Sequence, residues 1–110
     1  QVLISIFNNA IEALVQNRKT NRFIKYSIYK NKYTIVITIE DNGGGIDESI
    51  IDKIFNPYFT TKHESQGTGI GLYTSYDIIS NHLNGKLYVE NVKDGAKFFI
   101  ELPLFMDYVI

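Results

Sequence analysis

The sequence predicts an α+β fold in which helices lie on one face of a largely antiparallel sheet. Three observations predict it. Two segments repeat apolar residues at helical spacing, four shorter segments alternate apolar and polar residues, and the alternating segments come in two pairs. In chain order this gives helix, two strands, short helix, loop, helix, two strands. With 110 residues and 45% hydrophobic content the chain can bury one core, so residues 1–110 are read as one domain.

The first helix is expected over Gln1 to Gln16, with Val2, Leu3, Ile6, Phe7, Ala10, Ala13 and Leu14 at spacings of three and four. No Ser, Thr, Asp or Asn precedes its first apolar residue, so the sequence opens without a cap and is expected to continue upstream in a longer parent. Phe23 to Tyr29 and Tyr33 to Asp41 alternate as half-buried strands do, and Lys30, Asn31 and Lys32 between them read as a hairpin turn. Ile24, Tyr26 and Ile28 are expected on one face with Tyr33, Ile35, Ile37 and Ile39. After a glycine cluster, Asp47 is placed to cap a short helix through Phe55, with Ser49 and Asp52 on its outer side. A loop follows, from Asn56 to about Gln66. From Gly69, the residues Leu72, Tyr76, Ile79 and Leu83 recur at helical intervals, and the pattern stops at Asn84 and Gly85, where a glycine C-cap is expected. Leu87 to Asn91 and Ala96 to Leu102 form the second hairpin.

Composition excludes several functions. The formal net charge is −1 and the eleven Lys and Arg are scattered, so no basic stripe is available to a nucleic-acid backbone. Without cysteine the chain forms no disulfide and no thiolate metal site. No stretch reaches the roughly 18 apolar residues of a membrane span, and the start does not read as a signal peptide. A cytoplasmic location without membrane contact is expected for this segment, any anchor lying elsewhere in the parent.

Several residues break their local pattern. Tyr33, Ile35, Ile37, Ile39 and Asp41 share parity, so a regular strand points the Asp41 carboxylate to the same side as the isoleucines. An ionised carboxylate on a core face needs hydrogen bonds, either from local amides in a strand-end turn or from a ligand admitted by the bare backbone of Gly43, Gly44 and Gly45. Ser5, Asn9 and Glu12 form a polar line on an otherwise apolar helix. That line either faces water or offers the Asn9 amide oxygen to a hard cation such as magnesium. Gly67, Gly69 and Gly71 alternate with Thr68 and Ile70 just before a helix, where backbone amides can surround an anion or where the chain can hinge. The spacing matches neither the P-loop nor the dinucleotide pattern. Lys62, in the preceding loop, is either a mobile cation for a terminal phosphate or a solvated charge. His63 and His82 have no carboxylate or histidine at ligand spacing and receive no role.

Taken in order, these segments resemble the histidine kinase catalytic domain of the Bergerat, or GHKL, superfamily over nearly the whole chain. The run from Gln1 through Asn9 to Ala13 looks like the asparagine box. Asp41-Asn42-Gly43-Gly44-Gly45-Ile46 looks like the first glycine box, D-N-G-x-G-I. Ile54-Phe55-Asn56-Pro57-Tyr58-Phe59-Thr60-Thr61-Lys62 is similar to the phenylalanine box, and Gly67-Thr68-Gly69-Ile70-Gly71-Leu72 to the second glycine box, G-T-G-[LI]-G-L. The Asn-Ala-Ile-Glu-Ala run looks like the nitrogen-regulatory subgroup.

The resemblance implies a two-layer Bergerat sandwich with a mixed, largely antiparallel sheet, whose first strand precedes this helix and is absent from the fragment. It implies that Asp41 accepts a hydrogen bond from the adenine amine, that Ile46, Ile70 and Leu72 line the base pocket, and that Asn9 holds Mg2+ against the phosphates of ATP. Gly67, Thr68, Gly69 and Gly71 would surround the phosphates, Lys62 would stand near the terminal one, and Ala13, Gly43 and Gly45 would adjoin the nucleotide. Phe55 and Phe59 would anchor a lid. The implied partners are the phosphoacceptor and dimerisation helices of the same parent, read as a homodimer, with a response regulator downstream. Three departures stand out: Ser5 for an asparagine, Glu12 for a basic residue, and Ala96 for a hydroxyl residue. Two other readings share the fold, a hydrolase and a nucleotide-binding module that serves only for docking. Ser5 in the place of the hydrolases' glutamate argues against the first, and the intact glycine boxes argue against the second.

Overall fold

In the computed structural model, residues 1–17, 20–57, 59 and 71–104 are described. Helix α1 runs over Val2–Gln16, strands β1 and β2 over Ile24–Lys30 and Thr34–Asp41, helix α2 over Gly71–Asp77, and strands β3 and β4 over Lys86–Val92 and Gly95–Pro103. The strands form one sheet in the order β1-β2-β4-β3, every neighbouring pair antiparallel. None of the described helices is long and apolar enough to cross a membrane.

Alternation along the strands sorts the side chains. On the helix side, Ile37 stands opposite Ile100 and Ile39 opposite Phe98, while Leu87 and Val89 extend the same rows onto β3. Ile6 of α1 and Ile79 beyond α2 close over them, so the core lies between the helices and the two central strands. Full burial of such aliphatic and aromatic side chains contributes about 1.5–3 kcal/mol each, which is why the sheet takes this register. On the other side, Lys25, Glu40, Lys97 and Glu90 form a row of alternating charge across all four strands. Opposite charges on neighbouring strands favour that register.

The structure departs from the sequence expectations in three places. The segment after the glycine cluster is no α-helix: it turns through residues 48–50 into one 3-10 turn at Ile51–Lys53. Asp47 does not cap it, since Ile50 stands at the N-cap with no side-chain bond; its carboxylate instead closes the turn before, accepting from the Ser49 amide and hydroxyl at 2.8 and 2.7 Å, and these bonds hold it below its usual pKa. Helix α2 continues as a π turn over Ile78–His82, and the left-handed residue that ends it is Asn84, not Gly85. Gly85 is required for another reason, since a Cβ there would meet the Glu101 carbonyl oxygen at 2.2 Å. Finally, β1 is exposed almost throughout, with Tyr26 at 70% and Ile28 at 65%. Both occupy the expected face, but α1 lies over β2 and leaves an open apolar groove of about 270 Å³ lined by Leu3, Phe7, Tyr26, Ile28, Ile37 and Ile39.

Candidate functional site

The last inward-facing position of β2 is Asp41, which is only 2% exposed. Its parity with Ile35, Ile37 and Ile39 carries the carboxylate to the helix side of the sheet, and there it meets backbone amides. Gly43 donates to Oδ1 at 2.8 Å, and the Ala96 amide of the neighbouring strand also donates to the carboxylate. Burial pushes the Asp41 carboxyl above its usual pKa, against those two amides, and Glu40 adds to the rise. Two amide donors do not fully offset the loss of water. The local-amide reading of the sequence is met: Asp41 closes a strand-end turn, as a buried and partly compensated acceptor.

The loop beyond Asp41 is held on several sides. The Asn42 side chain accepts from the Phe23 amide at 3.0 Å and donates to the Asn21 carbonyl at 2.5 Å, which ties the start of β1 to the loop. A Cβ on Gly43 would stand 2.9 Å from the backbone and Cβ of Ala13, so the loop lies flush on the last turns of α1. There Asn17 donates to the carbonyls of Ala13, at 2.9 Å, and of Gly43. Gly44 and Gly45 have φ of 102° and 82°, where L side chains are strained. Gly44 donates to the Asp94 carbonyl at 2.8 Å, across to the turn between β3 and β4. Asn91 completes the clamp: its Oδ1 accepts from the Ile46 amide at 2.7 Å, and its Nδ2 donates to the Ile46 carbonyl at 2.6 Å and to Glu48 at 2.7 Å.

On α1 the polar line of Ser5, Asn9 and Glu12 is half-buried, and the apolar Ile4, Ile11 and Val15 face outward instead. The line turns toward the start of α2, because a Cβ on Gly71 would lie 3.5 Å from the Ser5 hydroxyl. Ile46 and Leu72 pack against the buried core together with Phe55 and Phe59. Phe55 also stacks on Tyr76 at 5.4 Å and meets the edge of Phe98 at 6.2 Å, which fixes the exit of the preceding turn. The structure thus gathers Ala13, Asp41, Gly43, Gly45 and Ile46 around one loop, with Asn9 on the same helix as Ala13 and with Gly71 and Leu72 beginning α2. Lys62, Gly67, Thr68, Gly69 and Ile70 lie outside the described residues, as do His63 and the tip of the proposed lid. Among the described residues no group of three or more His, Asp or Glu is placed to hold a metal ion.

Asn17 and Asn91 were not singled out from the sequence. For Asn91 a signal was present: it shares parity with Leu87 and Val89, so it is a polar residue on an inward row, the same anomaly that pointed to Asp41. Asn17 follows the helix with no pattern to break, and its role depends on a loop 26 residues away.

Comparison with known proteins places the chain in a family. Residues 1–106 match the family model for histidine kinase-, DNA gyrase B- and HSP90-like ATPases. The chain is 37% identical over 107 residues to the two-component sensor PprA of Pseudomonas aeruginosa, covering 94% of this chain and 12% of that protein. It is 42% identical over 105 residues to the signal transduction histidine-protein kinase AtoS of Escherichia coli, covering 94% of this chain and 16% of that protein. The chain therefore spans less than a fifth of the length of either relative. Among solved structures, the catalytic domain of histidine kinase ThkA superimposes with a TM-score of 0.80 at 36% identity, over 94% of this chain and 65% of that one. The fold is that of a histidine kinase catalytic domain, and the chain belongs to the histidine kinase-, DNA gyrase B- and HSP90-like ATPase family.

Proposed function

We propose that this chain binds ATP with a magnesium ion and donates the terminal phosphoryl group to a histidine on a separate phosphoacceptor helix of a longer, homodimeric parent, which then signals to a response regulator. The observation that carries the reading is Asp41, a carboxylate 2% exposed at the mouth of a glycine loop and pushed above its usual pKa. An adenine amine is a donor of the kind that such a carboxylate lacks. Gly43 and Gly45 leave bare backbone beside it, and Ile46 and Leu72 provide apolar surface for the base. Asn9 offers one amide oxygen, which fits magnesium, an ion that takes one or two protein oxygens and completes its shell from phosphate and water. Bound there, the ion would neutralise phosphate charge. Gly71, at the start of α2, would receive the phosphates together with Gly67, Thr68 and Gly69, with Lys62 serving the terminal one.

Transfer itself asks little covalent chemistry of this chain. The acceptor imidazole nitrogen forms the bond to the terminal phosphorus as the bond from that phosphorus to the bridging oxygen breaks, leaving ADP and releasing the imidazole proton to solvent. The chain's residues position the nucleotide and balance its charge, which is the greater part of catalysis in phosphoryl transfer. Calorimetry tests the reading. The chain should bind Mg-ADP, and Asp41→Ala should weaken binding by about 1.5–3 kcal/mol, roughly ten- to a hundredfold. Equal affinity in the two proteins would sink the assignment of Asp41.

A further inference from the structure

We propose that Asn91 is a positioning residue for the nucleotide base: its side-chain amide sets how far the Ile46 stretch stands from Asp41. The proposal rests on the adenine-nucleotide reading of this loop. Asn91 is the second-to-last residue of β3, an edge strand of the sheet, and beyond Val92 the chain turns away, so the backbone of Ile46 faces no strand partner among the described residues. The amide of Asn91 takes the place of that partner. It accepts from the Ile46 N–H at 2.7 Å and donates to the Ile46 carbonyl at 2.6 Å, the two bonds that a neighbouring strand residue would exchange. Its remaining N–H reaches Glu48 at 2.7 Å, so the orientation of the amide is fixed by three bonds at once.

The surrounding backbone is built for this contact. A Cβ on Gly45 would stand 2.9 Å from Asn91 Oδ1, so glycine at 45 keeps the path of the side chain open. Gly44 donates to Asp94 and the Ala96 amide reaches Asp41, so one hairpin grips the loop before, within and after its glycines. Asp41 and Ile46 are thereby both referenced to the same rigid pair of strands. A loop free to move at Ile46 would hold the base against Asp41 only part of the time, and the affinity falls by that fraction.

The test compares Asn91→Ala, Asn91→Asp and the double variant Asn91→Asp/Glu48→Gln with the unsubstituted chain and with Asp41→Ala. Asn91→Ala should weaken Mg-ADP binding about tenfold, the value of the two lost hydrogen bonds to Ile46, which are open to water. Asn91→Asp keeps the acceptor for the Ile46 N–H but sets a carboxylate against the Ile46 carbonyl and Glu48, so it should bind at least as weakly. Adding Glu48→Gln restores a donor facing that carboxylate and should recover part of the lost affinity, a rescue that a purely structural role would not give. By amide hydrogen exchange, Ile46 should lose protection in Asn91→Ala and keep it in the double variant. All the variants should retain the far-ultraviolet circular dichroism of the unsubstituted chain. Normal binding by Asn91→Ala beside weak binding by Asp41→Ala would overturn the proposal and leave the nucleotide reading intact, and so would unfolding of Asn91→Ala. Failure of the unsubstituted chain to bind Mg-ADP would overturn both.

Discussion

A methyl group on Gly95 would stand 1.7 Å from the backbone oxygen of Asp41. The start of β4 thus lies directly on the end of β2, and the contact is backbone against backbone, with no side chain to swing aside. Gly95→Ala is expected to destabilise the chain by about 3 kcal/mol or more, at the upper end for overpacking. Urea unfolding checks it, and an unchanged midpoint would contradict the close approach.

Asp41 should give nucleotide binding an acid limb. Without nucleotide its folded pKa is raised, so its contribution to stability is present below the unfolded value of 3.8 and is lost as pH rises through the folded value. An adenine amine has the opposite preference, since it donates to the ionised form. Affinity for Mg-ADP should therefore fall as pH drops from about 7 toward about 4, and Asp41→Asn should lack that part of the slope. Calorimetry across this range decides it, parallel profiles for the two proteins being the adverse result.

Tyr88 should set an alkaline limit on stability. Its hydroxyl donates to Glu101 at 2.5 Å, and that bond first, then burial and nearby negative charge, pushes its pKa up to about 12 from 10.0. A raised pKa means a contribution intact below about pH 10 and lost as pH rises toward about 12. Tyr88→Phe should be less stable than the unsubstituted chain at neutral pH, and the two unfolding midpoints should converge over that window. A constant difference would show that the hydroxyl is not the cause.

Incubated alone with labelled ATP, the chain should neither label itself nor release phosphate at an appreciable rate. His82 is exposed on the π turn, at the opposite end of that helical segment from Gly71, and it neighbours Asp77. Ser5, on the half-buried polar line of α1, has no carboxylate's basicity with which to activate water. Adding the phosphoacceptor domain of the proposed parent should allow slow transfer that rises with acceptor concentration, because mixing lacks the effective concentration of a tether. Robust phosphate release by the chain alone would point to a hydrolase.

Parity and glycine placement made much of this molecule legible in advance. The alternation that ends in Asp41 located the buried carboxylate, the four strands and both hairpins followed the sequence pattern, and Gly43 and Gly45 occupy positions where a side chain would clash or strain the backbone. These are local properties: a strand's two-residue period and a glycine's missing Cβ act within a few residues, so local sequence records them. The short helix expected after Asp47 failed for a local reason too. Its apolar residues fit a single turn, and Ile54 and Phe55 then leave for the core.

Local pattern specifies which face of each strand is apolar and where the chain turns, whereas the packing of distant segments sets which of those faces is covered and what holds the loop. Tyr26 and Ile28 point to the helix side as their parity requires, yet they stay exposed because α1 lies over β2. Asn91 and Ile46 are separated by 45 residues, and Asn17 and Gly43 by 26. Period and propensity describe a segment's own geometry, whereas a contact at such separation exists only once the core has fixed how the helix, the loop and the second hairpin are placed against one another.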